Sequence, residues 1–454
     1  MAPDRPRPRQ PHKRRPFRSL LAGLVLILTG CAHFPVNAPL LTQSDTAGYR
    51  LGNHVSPNSD ELLLALSFSG GGTRAAAMAY GVLEALRDTE AGPDGQRRRL
   101  LDEIDVISSV SGGAITSTYY ALYGEKIFED FESRFLKDAF QRRVTRWILA
   151  PRNWIRLMAP HFRRTDLLAE RLDQQLFDGK TFADLQASPF LIINATDIVQ
   201  GSRFDFTQDR FDLLCSDLDA FPLSRAVAAS AAVPVVLPPI TLQNYGWTLC
   251  DYQGPASQPA PYSRRLDDLR SYRQASKRAY IHLFDGGLVD NLGILGLLEH
   301  VFSTERPCET LELLNLQRLR HVAVIIVNAV TDLDRTADRT KQGPGLAQTI
   351  WAAANIPIDR TTVRSVDSLQ EKLETWSEQI IACRQIEDDP GITIYPIRIY
   401  FNKIQDPALR LQLSQLPTTL TLDPAIVDKL RQTAGDILLE DYYFQQLLDA
   451  QRQD

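Results

Sequence analysis

The sequence predicts an α/β fold organised around a mostly parallel central sheet. Three observations predict it. Short apolar runs alternate with helical patterns along most of the chain. Two of these runs lead through glycine clusters directly into helices. The 454 residues, 44% apolar and 23% charged, are enough for a large core without a metal or a disulfide framework.

The first thirty residues carry Arg5, Arg7, Arg9, Lys13, Arg14, Arg15 and Arg18 against the single acid Asp4. A short apolar run, Leu20 to Leu28, follows. It falls short of the roughly 20 residues that span a bilayer, and it reads as a secretory signal. Leu28-Thr29-Gly30-Cys31 resembles the lipobox of bacterial lipoproteins, which implies diacylation (palmitate among the acyl chains) at Cys31 as the mature N-terminus. Ala32 replaces the Asp that retains such proteins in the inner membrane, so the resemblance implies the outer membrane of a Gram-negative cell. Arg14-Arg15-Pro16-Phe17 resembles a twin-arginine export signal. A plain cleaved signal and an uncleaved anchor are the alternatives.

The four expected parts are the signal (1–30), a polar tether (31–60), a core (61–330) and a strand/helix extension packed on it (331–454). Leu62–Phe68 is a continuous apolar run, as in a buried strand. Asp105–Val110, Phe190–Asn194, Tyr280–Phe284, His321–Ala329 and Ile392–Phe401 are the further strands. Helical patterns occupy Ala75–Arg87, Phe128–Phe140, Asp166–Phe177, Leu223–Ala232 and Asp423–Leu448. Asp251–Arg273 and Thr331–Gly345 are polar, turn-rich loops. Without its signal the chain carries a net charge of −11, which argues against general nucleic-acid binding. Cys215, Cys250, Cys308 and Cys383 form an even set in an exported chain; Cys215–Cys250 is one pairing the spacing allows. No cysteine lies in a zinc-type spacing, and no metal or organic cofactor is implied.

Two strand–loop–helix junctions hold the candidate chemistry. Ser69-Gly70-Gly71-Gly72-Thr73-Arg74 lets backbone N–H groups approach a ligand at a helix start. It lacks the GK[ST] ending of a phosphate loop and the spacing of a dinucleotide site. An oxyanion hole is the other functional reading, and a plain glycine turn the bland one. Ser109-Val110-Ser111-Gly112-Gly113 places Ser111 between strand and helix among small residues, as a nucleophile elbow requires. The usual first glycine is Ser109 here, and Ser111 alone also reads as a helix-cap serine. A nucleophilic serine needs a base. Asp285, at a strand end before Gly286 and Gly287, is the candidate. His282 lies three residues away on the same strand and points to the other face, which leaves a Ser–Asp dyad as the simpler choice.

Together, Gly70-Gly71-Gly72-Thr73-Arg74, Ser109-Val110-Ser111-Gly112-Gly113 and Asp285-Gly286-Gly287 resemble the patatin-like phospholipases. Asn194-Ala195-Thr196-Asp197 and Ala229-Ser230-Ala231-Ala232-Val233-Pro234 agree, and the resemblance covers residues 62–330. It implies a three-layer α/β/α fold and hydrolysis of a phospholipid or lysophospholipid ester. In it Ser111 is the nucleophile, Asp285 the general base, and Gly70, Gly71 and Gly72 the oxyanion hole. Arg74, Gly113, Gly286 and Gly287 support the site; Arg74 either fixes the loop or faces a phosphate. Ser109 and Ala75 replace small glycines of the family pattern, which keeps open a catalytically weak lipid-binding scaffold of the outer membrane. A serine peptidase of another fold is disfavoured for want of a histidine partner. Residues 137–164 carry eight basic residues against one acid, with Trp147 and Trp154 among them. They read either as a solvated helical cap or as a surface that docks on lipid.

Overall fold

The computed structural model describes residues 36–453, apart from 43, 45, 55–57, 94, 96, 160, 247–249, 251–269, 304–306, 332–344 and 385–390, with backbone alone at 309–310 and 346–364. The signal and Cys31 therefore lie outside the described residues, as do most of the two loops expected at 251–273 and 331–345.

Eight strands build one sheet: β1 (Leu62–Phe68), β2 (Ile104–Val110), β3 (Phe190–Asp197), β4 (Ser202–Asp205), β5 (Ile240–Gln243), β6 (Tyr280–Asp285), β7 (His321–Asn328) and β8 (Thr393–Tyr400). Every residue of β1 and β2 is buried, as in strands covered on both faces. The order is β8-β7-β1-β2-β3-β6-β5, with β4 also on β3. β8, β7, β1, β2 and β3 run parallel, and β4, β5 and β6 join antiparallel. Val110 pairs with Asn194, and Ala195 pairs with Asp285. The register thus carries Asp285 to the level at which β2 ends.

Helices cover both faces, so the fold is the expected α/β/α arrangement. Alternation along the strands shows this directly. Phe68 meets Gly113 in helix α2 (Ser111–Tyr123), and the Ser109 hydroxyl meets Ser117 there. Their neighbours Ser67 and Ser108 donate to the opposite side, to the carbonyls of Leu292 and Gly293 before a helix over Ile294–His300. On the α2 side, helix α1 (Thr73–Arg87) is crossed by α9 (Pro424–Glu440), the label following the helices between them. Among these are α3 (Phe140–Leu149), α4 (Pro151–Leu157), α5 (Arg164–Leu172), α6 (Leu223–Ser230), α7 (Ile294–His300) and α8 (Leu346–Arg384). A last helix, α10 (Tyr442–Gln453), follows α9. On the far face, Trp376 of α8 is fully buried edge-on against Phe302.

The structure departs from the sequence reading in several places. β4 and β5 were not expected; four residues are too few to show a period. The helix expected over Phe128–Phe140 ends at Leu136, and the chain restarts as α3 at Phe140. The 39-residue α8 was not foreseen either. The extension 331–454 does more than pack on the core, because it supplies β8 to the sheet. Residues 31–60 are not a free tether over their described part. Tyr49, Arg50, Leu51 and His54 are buried, and the Tyr49 hydroxyl bridges the backbone of Leu191 on β3. Two disulfides, Cys215–Cys250 and Cys308–Cys383, use all the cysteines beyond Cys31.

Where α9 crosses α1, a Cβ on Gly81 would lie 2.1 Å from the Arg431 carbonyl oxygen. Glycine to alanine inside a helix ordinarily stabilises by about 1 kcal/mol. Here we expect the opposite sign: Gly81→Ala should lose about 1–3 kcal/mol in denaturant unfolding, because two backbones must separate.

Candidate active site

Ser111 is the first residue of α2 and follows β2 with no intervening loop. Its φ is +51°, a conformation that side-chain-bearing residues seldom adopt. A buried relay holds it there. The Ser111 N–H donates to the Ser230 hydroxyl at 2.8 Å, and that hydroxyl donates to the Asn194 carbonyl at 2.6 Å. The two residues after Ser111 have no room for side chains. A Cβ on Gly112 would lie 2.1 Å from the Gly72 carbonyl oxygen, and one on Gly113 would lie 2.7 Å from that of Ser69.

Ser109 sits within β2, where the backbone needs no glycine. Its hydroxyl accepts from Ser117 at 2.7 Å, and its carbonyl accepts from Asn194 at 3.1 Å. Ala75 is buried in the first turn of α1. Neither departure from the family pattern obstructs the elbow or the glycine loop.

Asp285 ends β6; its carboxyl accepts the Gly287 N–H at 2.8 Å, and the Ser111 side chain lies close enough to act on it. Burial pushes its pKa up to about 6, against the lowering effect of the Gly287 N–H and the Ser111 side chain. The backbone around it is fixed from α6 and the turn after it. The Asp285 N–H donates to Ala232 and the Gly286 N–H to Ser230. A Cβ on Gly286 would lie 2.5 Å from the Asn194 carbonyl oxygen, so this turn also closes by backbone contact. Ser111 and Asp285 are only 6% and 8% exposed, which leaves the pair in a largely desolvated setting.

The three glycines divide. The Gly70 N–H donates to the Asn291 carbonyl at 3.0 Å. This corrects the expectation for Gly70, whose N–H is engaged and is no oxyanion donor. Gly71 and Gly72 have φ of +139° and +63°, and their N–H groups make no hydrogen bond among the described residues. The Gly112 N–H is in the same condition. Gly72 caps the N-terminus of α1 and Gly112 is the second residue of α2, so two positive helix ends converge beside the Ser111 side chain.

Arg74 lies behind this loop and is 5% exposed. Its guanidinium donates to the carbonyls of Ala329, after β7, and Leu416. Burial lowers its pKa to about 10. Of its two expected roles, these contacts describe the one that fixes the loop. The extension braces the loop a second time. The Thr419 carbonyl accepts the Thr73 N–H at 2.8 Å and would lie 2.3 Å from a Cβ on Gly72.

Sequence reasoning gave no role to Ser230, Asn291, Gly112 or Thr419. Ser230 and Asn291 lie inside or beside quoted motifs; nothing local in the sequence marks Thr419. The histidines have other partners. His54 meets the Ala187 carbonyl, His282 the Thr241 hydroxyl, His300 the Asp205 carboxylate and His321 the Tyr395 hydroxyl.

No curated protein matches the chain. Among solved structures, human GIVD cytosolic phospholipase A2 is 13% identical, the match covering 86% of this chain and 60% of that one at a TM-score of 0.39. Its complex with methyl γ-linolenyl fluorophosphonate gives the same identity and coverage at a TM-score of 0.34. The chain thus spans about 60% of that protein's length. The model of the family described as patatin-like phospholipase matches residues 66–298, a span that contains Ser111, Asp285 and the three glycines. With just over half of its residues inside that match, the chain belongs to the patatin-like phospholipase family.

Proposed function

We propose that the protein is a serine lipid acyl hydrolase of the phospholipase A or lysophospholipase type, working through a Ser111–Asp285 dyad. The observation that carries this reading is the Ser111 side chain, held at a φ of +51° at the start of α2, beside the buried Asp285 carboxyl and the uncommitted N–H groups of Gly71, Gly72 and Gly112. Ser111 Oγ attacks the ester carbonyl carbon as its proton passes to Asp285. The N–H groups of Gly71, Gly72 and Gly112 receive the developing oxyanion, aided by the two helix ends. The tetrahedral intermediate collapses, and Asp285 returns the proton to the departing alcohol oxygen. This leaves the acyl group on Ser111. Water then gives a proton to Asp285, its oxygen attacks the acyl carbonyl, and the fatty acid leaves as Ser111 regains its hydrogen. Desolvation makes the carboxylate a stronger base than an exposed one, while a pKa of about 6 keeps it ionised at neutral pH.

The same proposal covers export and anchoring at Cys31. Supporting it are the basic and apolar segments before Leu28-Thr29-Gly30-Cys31. The two disulfides add support, since such bonds persist in oxidising compartments. The membrane in this reading is the Gram-negative outer membrane, and the substrate is a phospholipid or lysophospholipid.

Four outcomes are expected. Ser111→Ala and Asp285→Asn should each cut release from a monomeric ester by about a thousandfold or more. A fluorophosphonate probe should label the wild type and spare Ser111→Ala. A wild type that neither labels nor releases product points to the lipid-binding scaffold instead. The pH dependence has a definite sign: Asp285 must be ionised to accept the proton, so kcat/KM should rise with pH through a midpoint of about 6 and then level. A flat profile there removes Asp285 from the base role. In cells fed labelled palmitate, label should appear in the protein and vanish in Cys31→Ser.

A further inference from the structure

Helices α3 and α4 form a small, strongly basic module on an otherwise acidic body. Phe140 and Val144 turn inward, and the outer side of the module carries both charge and apolar surface. Arg142, Arg146, Arg152, Arg163 and Arg164 are exposed and have no ion-pair partner among the described residues. Lys137, Arg143 and Arg156, by contrast, are neutralised by Glu132 and Asp428, by Asp138 and by Glu170. Among the arginines stand Leu149 at 58% exposure, Trp154 at 56%, Met158 at 83% and the partly exposed Ile155. Arg152 stacks over the half-buried Trp147 at 4.1 Å.

The module is bonded to the walls of the candidate site at both ends. At its start, Gln141 accepts from the Leu420 N–H and donates its own N–H to the Thr421 hydroxyl, next to the Thr419 carbonyl that braces Gly72. Just beyond its end, the Thr165 hydroxyl donates to the Pro238 carbonyl. Pro238 ends the turn that begins at Ala232, whose carbonyl holds the Asp285 N–H. That turn exposes two more apolar side chains, Val235 and Val236, and Val235 holds a φ of +73°, which is strained for a β-branched residue.

We infer that this face docks the catalytic body on a bilayer containing anionic phospholipid. Unpaired arginines match the headgroup phosphates, and Trp154, Met158 and Leu149 enter the interface between them. Tryptophan favours that depth. The acidic remainder of the body is repelled by the same surface, so the charge asymmetry also sets the orientation. The inference takes its purpose from the reading of Ser111 and Asp285 as a lipid hydrolase, while its measurement needs no catalysis.

The test uses Ser111→Ala protein, so that no product forms, and vesicles whose acyl chains are brominated to quench tryptophan. Vesicles of phosphatidylglycerol with phosphatidylcholine should quench strongly, and phosphatidylcholine alone at least about threefold less. Arg142→Glu, Arg146→Glu and Arg152→Glu together should weaken partition by about tenfold or more. Trp154→Phe should remove most of the quenching. Acylation at Cys31 holds the chain near a vesicle without inserting Trp154, so this readout separates docking from anchoring. Quenching that ignores headgroup charge, or survives the arginine reversals and Trp154→Phe, overturns the inference. So does a dimer, formed without vesicles and dissolved by Trp154→Ser and Met158→Ser, because the face then joins two copies. The same substitutions in the Ser111 background should leave monomeric ester hydrolysis unchanged, which shows that the fold persists. Loss of that hydrolysis in the wild type would instead sink the catalytic reading and leave docking to stand or fall on quenching.

Discussion

The site depends on backbone meeting backbone at the point where two strands turn into two helices. Gly72 caps α1 and Gly112 lies in the first turn of α2, and the approach is too close for a single methyl group on Gly112. That contact sets the distance between the serine and the uncommitted N–H groups, and it brings both positive helix ends to one place. The same economy recurs at Gly113 against Ser69 and at Gly286 against the Asn194 carbonyl. Side chains are excluded from the floor of the site, so its geometry is held by peptide units, which have few ways to rearrange.

Electrostatics divides labour within this frame. Asp285 is desolvated enough to be basic, while the Gly287 N–H and the nearby Ser111 side chain pull its pKa back down. Asn194 joins the site to the buried charge cluster behind it. Its side-chain amide bonds Ser108 and Ser109, and its carbonyl oxygen on that side chain accepts from Arg203, which also lies 3.2 Å from Asp205. The ionic network therefore ends on β2, the strand that leads into Ser111. A buried network of this kind is costly when partly broken and specific when complete.

Much of this was legible in the sequence, because the features that define it are local. Six strands, the elbow, the glycine loop and the aspartate turn all rest on short patterns whose physics is the same in any context. The four-residue β4 and β5 were invisible for the opposite reason: they exist because β3 and β6 offer edges, and nothing in Ser-Arg-Phe-Asp or Ile-Thr-Leu-Gln specifies a strand alone. Gly70 resembled its two neighbours in sequence, and only the Asn291 carbonyl distinguishes it. The segment before β1 looked like a tether by composition, yet Tyr49 finds a partner 142 positions away on β3.

Thr419 carries a further consequence, one of timing. Ser111 and Asp285 precede it in the chain, by more than three hundred and by more than one hundred residues respectively. A polypeptide made from its N-terminus holds both residues well before the carbonyl that braces Gly72 and the Leu416 carbonyl that holds Arg74. The glycine loop of an unfinished or truncated chain lacks both supports. The braced geometry of the glycine loop is then a property of the completed chain.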